Sequence, residues 1–258
     1  MAKGLRATRG PASPPYSNGP YEMSEAIVLN KPVVEGAERY VLEENFAQLP
    51  KLNANIANDP ANKNFEILGT HGAEADVTFA TLVGGIELET AGADNDQVII
   101  LPHLDAGQTA WANVKWGTEN QVIWESVIKT DSAITTRLYW AGLKLTNTPV
   151  IATDADQVFF RYSTDDSDTT WRCIASIGGT DVNNDSGVTI EASTIYYFRI
   201  EIDNDCKARF FINNKEVYRS AALTNDVDLI PYVGVQALSA AAAFLYLVKE
   251  KISRYVYE

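Results

Sequence analysis

The stretch YYFRIEIDNDCKARFFINNKEVYRS, residues Tyr196–Ser220, decides the fold class. Apolar and charged residues alternate over Phe198–Asp203 and again over Lys207–Phe210. Because successive side chains of a strand point to opposite faces, this period of two predicts half-buried strands. The segments NDC and INNK between the apolar runs are typical of tight turns, and we expect Asn214 to adopt the left-handed conformation. The stretch therefore predicts consecutive antiparallel hairpins.

The charged residues of this hairpin are predicted to share its outer face. There Glu201 and Asp203 would lie opposite Arg209 and Lys207. Oppositely charged cross-strand pairs stabilise a sheet by a few tenths of a kcal/mol up to about 1 kcal/mol. We therefore expect a charge-paired outer face.

The same kind of pattern fills the chain from about residue 65 onward. Short apolar runs are separated by clusters of Asp, Asn, Gly and Ser, and no spacing typical of strand-helix-strand units occurs. The predicted strands lie near residues 64–70, 80–90, 96–102, 109–116, 120–130, 134–146, 157–164, 171–179, 186–192, 196–203, 207–213, 215–220, 229–238 and 242–258. Residues 240–251 also have helix propensity, but the β-rich ISRYVYE that follows favours a closing strand. The pattern predicts an all-β, two-sheet antiparallel jelly-roll sandwich over residues 61–258.

Residues 1–60 have a different composition and are predicted to form an extended Pro/Gly-rich arm and a connector. Five of the ten prolines lie within the first 34 residues. Proline fixes φ and removes a backbone donor, so this segment is not expected to pack as a regular domain. Over residues 35–60 two alternatives stay open: a short helix near 36–48, or an extended segment lying across a sheet. We expect residues 62–258 to fold without the arm.

Charge is distributed unevenly along the chain. The net charge is −13, although Lys3, Arg6 and Arg9 give the first ten residues a charge of +3. An acidic body makes direct nucleic-acid binding unfavourable, whereas a basic tip suits docking on an acidic surface. A merely solubilising terminus is the alternative. Tyr16 and Tyr21 are the predicted apolar anchors of a docked arm, because large aromatic side chains dominate interface energetics.

The hairpin stretch resembles the late strands of concanavalin A-like lectin/glucanase sandwiches of the LamG type. Its glycine at the second tight turn is replaced by Asn214. Leu88–Ile100 resembles an early strand-turn-strand of the same domain. The resemblance covers about residues 65–258 and implies a jelly roll, a domain frequent in virion proteins of tailed phages. The positions that carry the resemblance in the hairpin are Tyr196, Phe198, Ile200, Glu201, Asp203, Ala208, Phe210, Ile212, Asn213 and Val217.

Laminarinase-type members of that superfamily use a carboxylate group spaced E-x-D-x-E, so Glu201, Asp203 and Asp205 are the candidates for catalysis. Asp205 falls in the predicted turn, and the nearby cations would keep the other two carboxylates ionised. A retaining glycosidase needs one carboxyl group of raised pKa as the acid. We therefore expect a protein that is not an enzyme, with no catalytic residues at this strand.

A calcium site is the one metal site that the sequence suggests. DVNNDSG places Asp181, Asn183 and Asp185 at alternating positions, and Ca²⁺ prefers several oxygen ligands. The glycine is one place late for a calcium loop, and a solvated turn is the alternative. No other cofactor is expected.

The remaining residues of chemical interest have structural alternatives. Five tryptophans could stack on sugars or fill the core, with Trp171 the best candidate for exposure. His71 and His103 are expected in loops or core, and Cys173 and Cys206 as two free buried thiols or one bridge. No 18-residue apolar run and no apolar signal segment are visible, so neither a membrane span nor secretion is expected.

Three functions remain in view. The first is a phage virion structural protein, a capsid decoration or cement protein assembled in the host cytoplasm, whose partners are capsid or other virion proteins and further copies of itself. The second is a glycan-binding module of a tail fibre or other receptor-binding structure. The third is a glycoside hydrolase.

Overall fold

The computed structural model describes residues 33–35, 39–53, 65–102, 115–146, 148–149 and 154–255. Within them the chain forms seventeen strands and no α-helix; two single-turn 3₁₀ helices, Glu74–Asp76 and Thr118–Asn120, interrupt the strands. None of the helices is long enough to cross a membrane. The strands are β1 Val33–Glu35, β2 Arg39–Glu44, β3 Leu52–Asn53, β4 Phe65–Leu68, β5 Val77–Phe79, β6 Ile86–Glu89, β7 Gln97–Leu101, β8 Ile123–Thr130, β9 Arg137–Lys144, β10 Gln157–Ser163, β11 Thr170–Ile177, β12 Thr180–Thr189, β13 Ile195–Ile202, β14 Lys207–Ile212, β15 Lys215–Ala222, β16 Ile230–Ala237 and β17 Phe244–Tyr255.

The strands form two sheets packed face to face. Sheet A has the order β1-β2-β17-β8-β13-β14-β15, with β6 also pairing β17 and β5 pairing β6. Sheet B has the order β12-β11-β10-β9-β16-β7-β4-β3. All pairs are antiparallel except β3 with β4. The predicted all-β jelly-roll sandwich is therefore confirmed.

The core lies between the sheets and is rich in aromatic rings. Phe160 of sheet B stacks on Phe198 of sheet A with centroids 4.3 Å apart, and meets Phe210 edge-on at 5.3 Å. Trp171 joins this cluster through Tyr196 and Phe198. Offset and edge-to-face contacts of this kind stabilise a core beyond the area they bury.

The opening hairpin forms as its period predicts. Phe198, Ile200 and Ile202 are buried, and Glu201 lies opposite Arg209 in the β13–β14 register. Asn214 has a φ of 65°, as expected, and Asn213 also takes a positive φ of 50°. Asn213 and Asn214 form the turn between β14 and β15, and two successive left-handed residues give it the twist that a two-residue hairpin needs.

Some strand boundaries differ from the prediction. The run near 80–90 begins with a tight turn, and only its second half is a strand, β6; β5 just before it was not predicted. The run near 109–116 lies mostly outside the described residues. Residues 240–251 enter β17, so the strand alternative is correct there.

The connector, residues 35–60, contributes strands to the sandwich. Its described part is extended, so the helix near 36–48 is wrong over Arg39–Glu44. This strand pairs along Glu250–Tyr255 of β17. Leu42 and Phe46 join the core, and hydrophobic burial against β17 explains why local helix propensity does not decide this segment.

Candidate functional site

The outer face of the β13–β14 hairpin is a ladder of ion pairs centred on Glu201. Its carboxylate accepts from Arg209 Nη1 at 3.1 Å and lies 3.2 Å from Arg199 Nε. Arg209 also contacts Glu216 of β15, and these contacts raise the pKa of Arg209 and lower that of Glu216. The guanidinium groups of Arg199 and Arg209 lie over the ring of Phe211, at 4.1 and 5.0 Å. Glu201 is therefore held as a structural ion-pair partner between two arginines.

The other two carboxylates of the strand have different roles. Asp203 Oδ1 accepts the backbone N–H groups of Asp205 and Lys207, each at 3.0 Å, and so closes the turn. The Lys207 ammonium lies 3.5 Å from Asp205. Asp203 therefore lies opposite Lys207 as predicted, but its carboxylate bonds to the turn backbone and the Lys207 ammonium lies near Asp205 instead.

The residues predicted for calcium lie on a strand and not in a loop. Asp181, Asn183 and Asp185 occupy one face of β12 and bond to side chains of β11. Ser176 donates to Asp181, Arg172 Nε donates to Asn183 at 2.8 Å, and Thr170 donates to Asp185 at 2.6 Å. The turn falls earlier, at Gly178 and Gly179, both with positive φ.

This strand geometry does not suit a calcium loop. An extended strand places every second residue about 6.6 Å further along, which spreads the three oxygen donors rather than gathering them. Arg172 also lies 3.5 Å from Asp185 and compensates its charge. Among the described residues no group of three or more His, Cys, Asp or Glu is placed to hold a metal ion.

One face of sheet B carries a buried aromatic row, here called the aromatic face: Trp140, Phe159 and Tyr232 with Lys144. Trp140 stacks on Tyr232 with centroids 6.2 Å apart. In the register Trp140 lies opposite Gly234, and Phe159 lies opposite Gly142. A Cβ added to Gly234 would lie 2.7 Å from the indole of Trp140, so the glycine makes room for the ring.

Lys144 closes one end of the aromatic face. Its ammonium lies 3.7 Å from Asp154, 4.5 Å above the ring of Tyr232, and donates to the Thr148 carbonyl at 3.1 Å. The Tyr232 hydroxyl donates to the same carbonyl at 2.8 Å. Burial lowers the pKa of Lys144 to about 8 despite the opposing effect of Asp154, and burial raises the pKa of Tyr232. The chain around Thr148 therefore lies against this face.

The aromatic face is buried and contains unpaired polar atoms. Trp140 and Tyr232 are each 1% exposed. Within the described residues, Trp140 Nε1, Gln157 Oε1 and Arg161 Nε have no hydrogen-bond partner. Buried polar atoms without partners are uncommon, because each costs about 1–3 kcal/mol.

The other tryptophans do not provide an exposed stacking platform. Trp171 is fully buried, so its predicted exposure is wrong: it packs under Tyr196 and Phe198 in the core. Trp116 and Trp124 are also buried, and Trp111 lies outside the described residues.

The remaining candidates are placed as follows. His71 Nε2 lies 3.0 Å from Asp76 at the surface, and His103 lies outside the described residues. Both cysteines are free; Cys173 is buried and Cys206 half-buried. The predicted partner-binding residues Lys3, Arg6, Arg9, Tyr16 and Tyr21 lie outside the described residues.

Sequence reasoning did not single out the Lys144 cluster. The available signal was a lysine in the apolar run YWAGLKL, where the strand period predicts a face that the neighbouring residues make apolar. Asp154 could not have been paired with it, because the sequence between them has no regular period that would set their relative positions.

Solved structures show the same sandwich at low sequence identity. A protein of unknown function from Shewanella oneidensis MR-1 is 12% identical with a TM-score of 0.55, over 85% of this chain and 87% of that one. A Bacillus licheniformis beta-glucanase is 9% identical (TM-score 0.53; 84% and 98% covered). The Emp47p carbohydrate recognition domain is 11% identical (TM-score 0.53; 87% and 100% covered).

These similarities show the fold alone, a two-sheet jelly-roll sandwich. No protein-family model and no curated protein matches the sequence. At such identities a shared fold does not transfer a function.

Proposed function

We propose that the protein is a non-catalytic structural protein of a tailed-phage virion, a decoration or cement protein of the capsid. In this proposal the sandwich is the rigid body, and residues 1–34 attach it to the shell. The attached body bridges neighbouring shell subunits and offsets the outward pressure of packaged DNA. The resemblance of the hairpin to domains of phage virion proteins is the reason for naming this assembly.

The observation that carries the proposal is the way β2 is built into sheet A. β2 lies between β1 and β17 and pairs with six residues of β17. Arg39 at its start donates to the Gln121 carbonyl at 2.8 Å and to Ser253 Oγ at 3.2 Å, and lies 4.4 Å over the ring of Tyr255. A force applied to the residues before β2 would be shared among all these bonds, so β2 can hold an attachment segment firmly to the sandwich.

The composition of residues 1–34 supports the same role. Prolines keep a free chain extended, which lowers the entropy that it loses on docking. Lys3, Arg6 and Arg9 provide an electrostatic contribution that salt screens, and Tyr16 and Tyr21 provide apolar contacts.

Co-sedimentation with intact particles tests this proposal. Deletion of residues 1–24 leaves β1, β2 and the sandwich in place, and it should abolish attachment. Neutralising Lys3, Arg6 and Arg9 together should weaken attachment less, and mainly at low salt. Full occupancy of the particle by the deletion variant would show that the sandwich itself holds the partner.

Glycan binding is the second candidate, tested at the Trp140–Tyr232 stack, which is buried and would have to be uncovered to contact a sugar. Aromatic rings with polar groups beside them are common in ligand sites, and the fold neighbours include a carbohydrate recognition domain. Retention on immobilised glycans, lost in Trp140→Phe, would favour this candidate. Trp116→Phe is the matched control, since Trp116 is equally buried and its indole N–H also has no partner in the described part of the chain.

Glycoside hydrolysis is the third candidate. The β13 strand is an unfavourable site for it, because Glu201 is engaged in ion pairs with Arg199 and Arg209. We expect no turnover of β-glucans. Turnover that disappears in Glu201→Gln but persists in Glu216→Gln would establish a hydrolase.

A further inference from the structure

β12 is an open edge of sheet B. It is ten residues long and pairs with β11 at one side; no other described strand lies along its second side. Most of its residues are exposed, including Val182. An edge of this kind presents a row of backbone N–H and C=O groups that can pair with an added strand.

The side chains of β12 leave this edge uncovered. Asp181, Asn183 and Asp185 all lean back toward β11, where they bond to Ser176, Arg172 and Thr170 as described above. The register with β11 is regular over residues 180–185 and shifts only beyond Asp185. Neither lysine nor proline, the residues that commonly block edges, occurs within Thr180–Thr189.

The surroundings of β12 are acidic, so a basic strand would pair with it more favourably than an acidic one. The β10–β11 turn adds Asp165, Asp166 and Asp168 at the Asp185 end of β12, where Arg161 and Arg172 pair with some of them. Asp181 lies at the other end of β12, opposite Ser176. Along β12 and this turn, these five aspartates and two arginines leave a net charge of −3. Antiparallel pairing of two β12 strands would bring these like charges together, which is unfavourable.

We propose that β12 receives residues 1–10 of a neighbouring copy as an added strand. These residues carry a charge of +3, which complements the acidic corner, and they contain no proline, so each can donate its backbone N–H. Proline follows at positions 11, 14, 15 and 20, so the strand-forming part ends there. This contact links copies to one another and goes beyond shell attachment; because both contacts use Lys3, Arg6 and Arg9, one arm makes one contact or the other.

Sedimentation velocity of the full-length chain tests the contact without any particle. We expect concentration-dependent association that weakens between about 50 mM and about 500 mM NaCl. Asp181→Lys with Asp185→Lys should abolish association, and so should Lys3→Glu with Arg6→Glu and Arg9→Glu. Mixing these two variants should restore a hetero-association, because the acidic segment of one then meets the basic edge of the other.

Two further measurements keep the result interpretable. Asp94→Lys with Asp205→Lys makes the same charge change at exposed sites away from β12 and should leave association intact. If the lysine variant of β12 unfolds, Asp181→Asn with Asp185→Asn takes its place; this variant is expected to weaken association roughly tenfold.

Hydrogen exchange should show protection of the backbone amides of residues 180–185 on association. A monomer at every concentration, association unaffected by the β12 variants, or unprotected β12 amides would each overturn the proposal.

Discussion

Trp124 donates its indole N–H to Glu250 Oε1 at 3.0 Å on the inner face of sheet A. Glu250 is fully buried, and the register places it beside Glu44 of β2. Burial, with a smaller contribution from Glu44, raises the pKa of Glu250 to about 7, although the Trp124 bond opposes this. Burial also raises the pKa of Glu44. The carboxyl pair therefore lies where β2 joins the rest of sheet A.

The first prediction concerns Glu250 and pH. The folded state holds a proton that the unfolded state releases near pH 4.5, so the stabilisation is complete below that pH and is lost as pH rises to about 7. The loss amounts to about 3 kcal/mol for a shift of this size. Glu250→Gln keeps an acceptor for Trp124 and should be more stable than the wild type at pH 8.

The measurement is the difference in unfolding free energy between the wild type and Glu250→Gln from pH 4 to 8. Glu43→Gln, at the surface of the same strand pair, is the control and should not change the slope. A constant difference across this range would show that Glu250 does not titrate there.

The second prediction concerns the glycine beneath Trp140. In Gly234→Ala the new Cβ would lie 2.7 Å from the indole and 2.9 Å from Ile99, so the ring or the backbone must shift. We expect destabilisation of about 1–3 kcal/mol in urea unfolding. Gly92→Ala is the control, because nothing lies within 4 Å of its added Cβ. Equal stabilities would mean that Trp140 does not lie across Gly234.

The third prediction concerns the start of the folding unit. Deletion of residues 1–32 leaves all described strands and should preserve cooperative thermal unfolding. Deletion of residues 1–61 removes β1, β2 and β3 with the buried Leu42, Phe46 and Leu52, and exposes the edge of β17. This replaces our expectation that residues 62–258 fold alone. We expect the longer deletion to aggregate; a soluble, cooperatively unfolding product would restore that expectation.

The fourth prediction concerns the thiols. Burial raises the pKa of Cys173 to about 12, and burial together with nearby acidic groups raises that of Cys206. Because the thiolate is the reactive form, both should react slowly at pH 7. With a disulfide reagent we expect the half-buried Cys206 to react slowly in the native protein, and Cys173 only after unfolding. Native labelling that persists in Cys206→Ser would contradict the burial of Cys173.

The sequence by itself determined the fold class and the β13–β14 hairpin. Alternation over Phe198–Asp203 fixes which side chains face the core, because a strand has a side-chain period of two. The asparagines of INNK fix the following turn, between β14 and β15, because they tolerate positive φ. These are local properties, and the residues that produce them are neighbours in the chain.

Only the tertiary structure decided which distant segments meet. Residues 39–44 are a strand because β17 lies beside them, and DVNNDSG is a strand because β11 provides partners for its aspartates. Lys144 pairs with Asp154, and Glu250 of β17 accepts a hydrogen bond from Trp124 of β8. Such contacts depend on the register between strands far apart in sequence, and the free energy that selects the register comes from burying both sheets together.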